Sequence, residues 1–298
     1  MSRSDTQTEN LTGILLMLGS MALFAVEDLF LKLAAANLPV GQIVLISGAL
    51  GAPVFFVMAW RQGRGIFVAE ALHPAVIARN LGEMVAAAAY LAALAVVPLG
   101  TVAAVLQALP LAVTMGAALL FGERVGWRRW TAIALGFAGV LLVIRPGGEG
   151  FRAETLLVLV SVAGIVVRDL SARAIPARVT TAQVSAWGLL AVAVLGLGMI
   201  AWTGEVRGVT GAEALVLAGA VVFGTAGYWA VTAATRTGEV AVVAPFRYSR
   251  LVFAMGLGMV FLAERPDAPT LAGAGLIVAS GLYAFARERR RKRASHAD

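Results

Sequence analysis

The sequence predicts an all-α integral membrane protein: ten transmembrane helices built as two inverted-topology five-helix repeats. Three observations carry this. Hydrophobic residues make up 60% of the 298 and charged residues 14%, with a mean hydropathy of +0.86; a soluble domain is about 45–50% apolar and about 25% charged. Apolar segments of bilayer-crossing length recur from end to end. The chain also repeats itself at a fixed offset, with an odd number of segments in each copy.

The expected spans are 11–33, 41–60, 74–97, 101–121, 127–144, 154–175, 180–203, 211–235, 239–262 and 268–286. Turn chemistry punctuates them at Asn37-Leu38-Pro39, Pro98-Leu99-Gly100, Arg145-Pro146-Gly147-Gly148, Ile175-Pro176 and Arg265-Pro266. Links this short make successive spans antiparallel neighbours. The first apolar run is read as a retained helix and not a signal peptide. Ala34-Ala35-Ala36 resembles a cleavage site, but Glu27, Asp28 and Lys32 interrupt the apolar region before it. The organisation is a tail at 1–10, a first repeat at 11–147, a second at 148–286 and a basic tail at 287–298.

Charge orients the stack. Arg3, Arg61, Arg64, Arg124, Arg128, Arg129, Arg173, Arg178, Arg236 and the basic run 287–293 fall on the side of both termini. Lys32, Arg145, Arg152, Arg207 and Arg265 fall on the other, so the positive-inside rule places both termini in the cytoplasm. The net charge of +7 and pI near 10.7 express this distribution, so no nucleic-acid partner is expected. The C-terminal run reads as a stop signal at the headgroups, with anionic lipid binding as the secondary reading.

Absences narrow the function. No cysteine excludes disulfides, thiolate metal sites and cysteine catalysis, and His73 and His296 fall in loop and tail. There is no phosphate-binding glycine motif and no paired Asp cluster on a helix. The sequence calls for no metal and no cofactor, and not for an enzyme.

The repeat is the strongest signal. At one offset Asp28 falls on Asp169, Lys32 on Arg173, Gln42 on Gln183 and Glu123-Arg124 on Glu264-Arg265; at a slightly shorter one, Tyr90 falls on Tyr228 and Gly100 on Gly238. Five spans per copy force the second copy to cross in the opposite sense, the plan of alternating-access carriers whose site lies near the midplane between repeats. With Pro110, the helix-closing Gly122-Glu123-Arg124, its counterpart Ala263-Glu264-Arg265, and Gly136, Gly139, Gly275 and Gly281, the chain resembles the EamA-like ten-helix branch of the drug/metabolite transporter superfamily. Within it, the chain is similar to the bacterial aromatic amino-acid exporters. The second copy departs from the pattern in having Ala263 before Glu264 and in placing Pro245 earlier than a strict copy of Pro110 would. The resemblance implies efflux of small metabolites, amino acids foremost, through a bacterial inner membrane.

Arg247 and Arg250 stand out within the apolar run 240–262. Each guanidinium costs about 2.5–3.5 kcal/mol to insert at the bilayer centre, so this face must meet protein or a water-filled cavity. Arginine matches a carboxylate bidentately; the alternative is pairing with an intramembrane acid such as Glu83. Glu83 itself reads as a local pair with Arg79 at i, i+4, or else as a receiver of a substrate ammonium or a proton. Asp28 with Lys32, and Asp169 with Arg173, read as i, i+4 pairs at opposite ends of the stack, suited to gating or to helix-end neutralisation. Glu27 and Arg168 point to other faces. Glu123-Arg124 and Glu264-Arg265 hold helix ends. The aromatics Tyr90, Trp187, Tyr228, Trp229, Phe246 and Tyr248 fall inside spans and either line a cavity or pack, whereas Trp60, Trp127, Trp130 and Trp202 sit at interfaces.

The expected protein is a secondary transporter exporting amino acids, aromatic or other apolar ones, or similar small metabolites. Helices three, four, eight and nine line its cavity. Its partners are a small-molecule substrate and membrane lipid, and a monomer is compatible with the reading. The alternatives are export of cationic drugs or nucleosides, a small-molecule channel, or a membrane-embedded enzyme acting on a lipid-linked substrate.

Overall fold

The computed structural model describes residues 3–123, 125–148, 151–237 and 239–294. Arg124, Gly238 and His296 lie outside the described residues, as do the side chains of the basic tail from 288 onward. The helices are α1 (Arg3–Ala35), α2 (Val40–Arg61), α3 (Pro74–Val96), α4 (Leu99–Leu106), α5 (Leu109–Phe121) and α6 (Trp127–Ile144), then α7 (Leu156–Ala172), α8 (Thr181–Thr203), α9 (Gly211–Thr237), α10 (Val240–Val243), α11 (Ser249–Phe261) and α12 (Ala268–Ala294). Among the described residues, 9 segments are long and apolar enough to cross a membrane, Leu99–Phe121 among them. The remaining expected span is present in three pieces, α10, a 3-10 turn at Ala244–Tyr248, and α11.

The two interrupted spans occupy equivalent places in the repeats, and proline interrupts both. Pro110 and Pro245 lack the N–H that would bond four residues back, and their rings crowd that carbonyl. The helix therefore breaks at Gln107–Ala108 in the first copy and tightens into the 3-10 turn in the second. The two breaks face each other: Gln107 Nε2 donates to the backbone carbonyls of Arg247 (3.4 Å) and Tyr248 (3.2 Å). Irregular backbone at membrane depth is tolerated where protein buries it or water reaches it.

Pairing across the repeats follows the pseudo-two-fold. α1 packs on α9 and α3 on α7, which are equivalent pairs, while α2 packs on α8 and α6 on α12. Glycine permits the α3–α7 crossing. A Cβ at Gly164 would sit 2.7 Å from the Ala86 backbone nitrogen, and one at Gly82 would sit 2.7 Å from the Gly164 carbonyl. The matched glutamines do equivalent work in exchanged positions. Gln42 bonds the backbone of Arg207 both ways (2.8 and 3.2 Å), and Gln183 donates to the Gly65 carbonyl.

The loops sort to two ends as alternating crossings require. At one end Arg207 reaches the Asn37 carbonyl, Arg152 the Val96 carbonyl and Arg145 the Asp267 carboxylate. At the other, Arg178 meets Glu70 and Arg173 meets Glu123. Trp60, Trp127 and Trp202 are exposed near helix ends, where an aromatic belt belongs. One difference between the copies carries strain. Gly122 closes α5 with φ 65°, and its counterpart Ala263 holds φ 52°, a left-handed conformation that costs a residue with a Cβ about 1–2 kcal/mol.

Candidate functional site

Three ion-pair groups organise the interior. The first joins α1, α3 and α11. Asp28, whose side chain is 2% exposed, accepts from Arg250 Nε (3.1 Å) and Nη2 (2.8 Å). The Tyr90 hydroxyl donates to the same carboxylate, and the ring of Phe24 lies 5.3 Å beneath the guanidinium. A planar fork matched to a carboxylate, with a phenol on the remaining lone pair, satisfies a charge that lipid would reject. The second joins α3 and α7. Glu83 pairs with Arg79 at 3.1 Å, one turn away on its own helix, and with Arg168 at 3.4 Å, while Arg168 Nε also holds Asp169 at 2.9 Å.

The third group is symmetric. Lys32 approaches Glu264 at 3.7 Å and donates to the carbonyls of Leu94 (2.9 Å) and Val97 (2.6 Å), around the C-terminal end of α3. Glu264 accepts from the first backbone N–H groups of α4, at Leu99 (2.8 Å) and Gly100 (3.3 Å). Cation on carbonyls and anion on N–H groups is the arrangement that helix-end dipoles favour. The equivalent pair at the other end is Arg173 with Glu123, at 2.6 Å. A cleft of about 370 Å³ opens beside the Lys32–Glu264 junction, lined also by Arg145, Arg152 and Thr155.

These contacts correct several sequence expectations. The local Arg79–Glu83 pair forms as expected. Asp28 does not pair with Lys32, nor Asp169 with Arg173, because each partner finds a better-placed counter-charge in the other repeat or beside it. Arg168 does not point away from Asp169; its long side chain curls back and bridges Asp169 to Glu83. Arg250 belongs to Asp28 and not to Glu83.

Arg247, on the 3-10 turn, is exposed, and its side chain makes no hydrogen bond or ion pair among the described residues. Asp169 is the acid whose field reaches it. The aromatics scatter. Tyr90 is the one that joins the ion-pair interior. Trp187 is buried and donates its indole N–H to the Ile66 carbonyl at 2.8 Å. Tyr228 meets Phe55 edge-on at 5.2 Å, Phe246 packs with Met17, Met21 and Val243, and Tyr248 lies against Gly281. Trp229 is 66% exposed.

Sequence reasoning missed Phe24 and the position of Glu27. The Glu27 carboxylate packs onto Gly224 of α9, where a Cβ would sit 2.7 Å from its carboxyl carbon. A signal for the third group was present in the repeat: Lys32 with Arg173 and Glu123 with Glu264 match at one offset with opposite signs, as paired positions would.

Two inverted repeats, facing helix breaks and a charged interior in an otherwise apolar bundle are the plan of a membrane transporter. The chain belongs to the EamA-like transporter family, whose model matches it twice, at residues 11–145 and 153–285. It is 27% identical over 268 residues to a pseudopaline exporter of Pseudomonas aeruginosa, covering 90% of this chain and 93% of that one. It is 29% identical over 224 residues to a riboflavin transporter of Rhizobium johnstonii, 72% of each chain. An S-adenosylmethionine uptake transporter of Rickettsia felis is 23% identical over 208 residues, 68% of each. A solved crystal structure shares the fold across 97% of this chain and 99% of its own, with a TM-score of 0.58 and 22% identity.

Proposed function

We propose that this transporter exports amino acids, aromatic or other apolar ones, or similar small carboxylate metabolites across a bacterial inner membrane by alternating access, with both termini in the cytoplasm. The observation that carries the reading is Arg247, an exposed guanidinium with no ion pair among the described residues, held at a helix break inside the membrane where its backbone carbonyl meets Gln107 of the opposite repeat. A charge in that position has no structural partner to satisfy, and a substrate carboxylate fits its fork. Arg250 is committed to Asp28, which divides the two arginines between binding and gating.

The gate follows from placement. Asp28 and Tyr90 lie in the half of the bundle toward the Lys32–Glu264 end, about 10 Å from their helix ends by the rise per residue. Their bond to Arg250 closes that half. Asp169, the repeat partner of Asp28, stands near the opposite end and is not joined to Arg247. In the alternate state Arg247 would move to Asp169 and Arg250 would leave Asp28. With the Arg-rich end cytoplasmic, the described state is closed to the periplasm, as a loading state for export requires.

The relatives' names include both exporter and uptake transporter and span different cargoes, so they support transport and leave the cargo to the site. The test is counterflow with the purified protein in liposomes loaded with labelled amino acids, a cationic drug or nucleosides. Saturable exchange of apolar amino acids is the expected result. Movement of the cationic drug with every amino acid failing would reject the reading, and non-saturable flux would indicate a channel.

A further inference from the structure

Glu27 makes no hydrogen bond and no ion pair among the described residues, although it lies about 12 Å inside the C-terminal end of α1 by the rise per residue. Its neighbours are accounted for from each element packed on α1. On its own helix Asp28 repels it. From α11, Arg250 attracts it but is held by Asp28, and from α3 the Tyr90 phenol lies within its field. α9 presents Gly224; of the ionisable residues of α9, Glu213 is bound to Arg207 and Thr210, Tyr228 packs on Phe55, and Arg236 lies in the last turn. α4 and α10 contain no ionisable residue, and Arg61 of α2 closes that helix at the far end. The turn supplies Arg247, reached by Asp169, and Tyr248, packed on Gly281.

Asp28 and Arg250 together are neutral, so a second carboxylate beside them leaves one negative charge unmatched. An unmatched charge out of water costs several kcal/mol. Gly224 supplies the space for that carboxylate, since any side chain there would collide with it. The site is built for an acid whose counter-charge must arrive from outside.

We propose that Glu27 is an exchange site at which a proton and the ammonium group of the substrate replace one another, making export a proton antiport. This rests on the amino-acid reading above and adds its energy source. On the cytoplasmic side the Glu27 O–H bond breaks, the proton passes to cavity water, and the carboxylate takes the substrate ammonium. On the periplasmic side the ammonium leaves, and a proton from water rebinds the carboxylate. Glu83, held between Arg79 and Arg168, takes no part.

Two measurements test this, and the first needs no substrate. Infrared difference spectra of the lipid-reconstituted protein between about pH 6 and alkaline pH, above the range of about 3.9–4.3 in which exposed carboxyls titrate, will show a carboxylic C=O band that titrates. E27Q removes it, E27D shifts it and E83Q leaves it. Absence of the band in the wild type, or its survival in E27Q, overturns the proposal, and the wild-type spectrum decides even if a variant fails to fold. The second is the pH profile of phenylalanine counterflow. Competition with one proton gives the wild type a limiting fall in apparent affinity of about tenfold per pH unit toward acid, and E27Q gives a flat profile. A flat wild-type profile with phenylalanine moving also overturns the proposal. If phenylalanine does not move at all, the amino-acid reading fails and the infrared band alone decides Glu27.

Discussion

The Asp28–Arg250 contact gives the most quantitative prediction. D28N keeps the shape of the side chain and can still accept the Tyr90 hydroxyl, but it leaves Arg250 facing Phe24 with no counter-charge. R250M leaves a carboxylate that is 2% exposed without a cation. Breaking one partner of a buried pair costs about 3–5 kcal/mol, whereas replacing both by apolar groups of similar volume is close to neutral. The double variant D28L/R250M is therefore expected within about 2 kcal/mol of wild type, against a sum of the D28L and R250M singles of about 6–10 kcal/mol. Y90F, which removes one hydrogen bond, costs about 1 kcal/mol. The assay is denaturant unfolding in mixed micelles followed by tryptophan fluorescence, run as a double-mutant cycle at neutral pH. Additivity of the singles to within about 0.5 kcal/mol would refute the pair as described.

Three further predictions use different parts of the molecule. Ala263 is in a left-handed conformation where the first repeat has glycine, so A263G is expected to raise stability by about 1 kcal/mol in the same unfolding assay. E264A removes the carboxylate from the Leu99 and Gly100 N–H groups and from Lys32. It should cost about 1–2 kcal/mol and speed amide exchange at the start of α4. Asp267 caps α12, and hydrogen bonds from Thr270, then the pair with Arg145, hold its carboxyl below the ordinary aspartate range. A lowered folded value means the contribution is present above the unfolded value of about 3.9 and fades as pH falls below it. The stability difference between wild type and D267N should therefore shrink below about pH 4.

The membrane spans and the two-fold repeat were legible because both are written in long stretches. Hydropathy sums over about twenty residues, and an offset tests many positions together. The Arg79–Glu83 pair was legible because its partners lie one turn apart on one helix. Asp28 and Lys32 have the same spacing and did not pair, since the i, i+4 rule describes an isolated helix, and here each charge has a partner in the second repeat, Arg250 and Glu264. Those partners lie far away in sequence, and local spacing says nothing of them. Glu27 was readable in part: no cation stands three or four residues from it on either side, so an unpaired acid could be seen, although not what faced it. The glycine contact at Gly224 and the aromatic face of Phe24 depend on how α1 meets α9 and α11, which no pattern within α1 specifies. The interior aromatics were the least legible, because hydrophobicity alone does not separate a buried ring from an exposed one, as Trp187 and Trp229 show.

The central claim is that the helix-break arginine binds the cargo's carboxylate, and exchange of labelled for unlabelled phenylalanine across proteoliposomes by wild type and R247Q tests it most directly. A hydrogen bond to a charged group contributes about 1.5–3 kcal/mol, so R247Q is expected to weaken exchange by about 10- to 150-fold while its folded yield and melting temperature stay near wild type. Exchange by R247Q at the wild-type rate and affinity would contradict the claim.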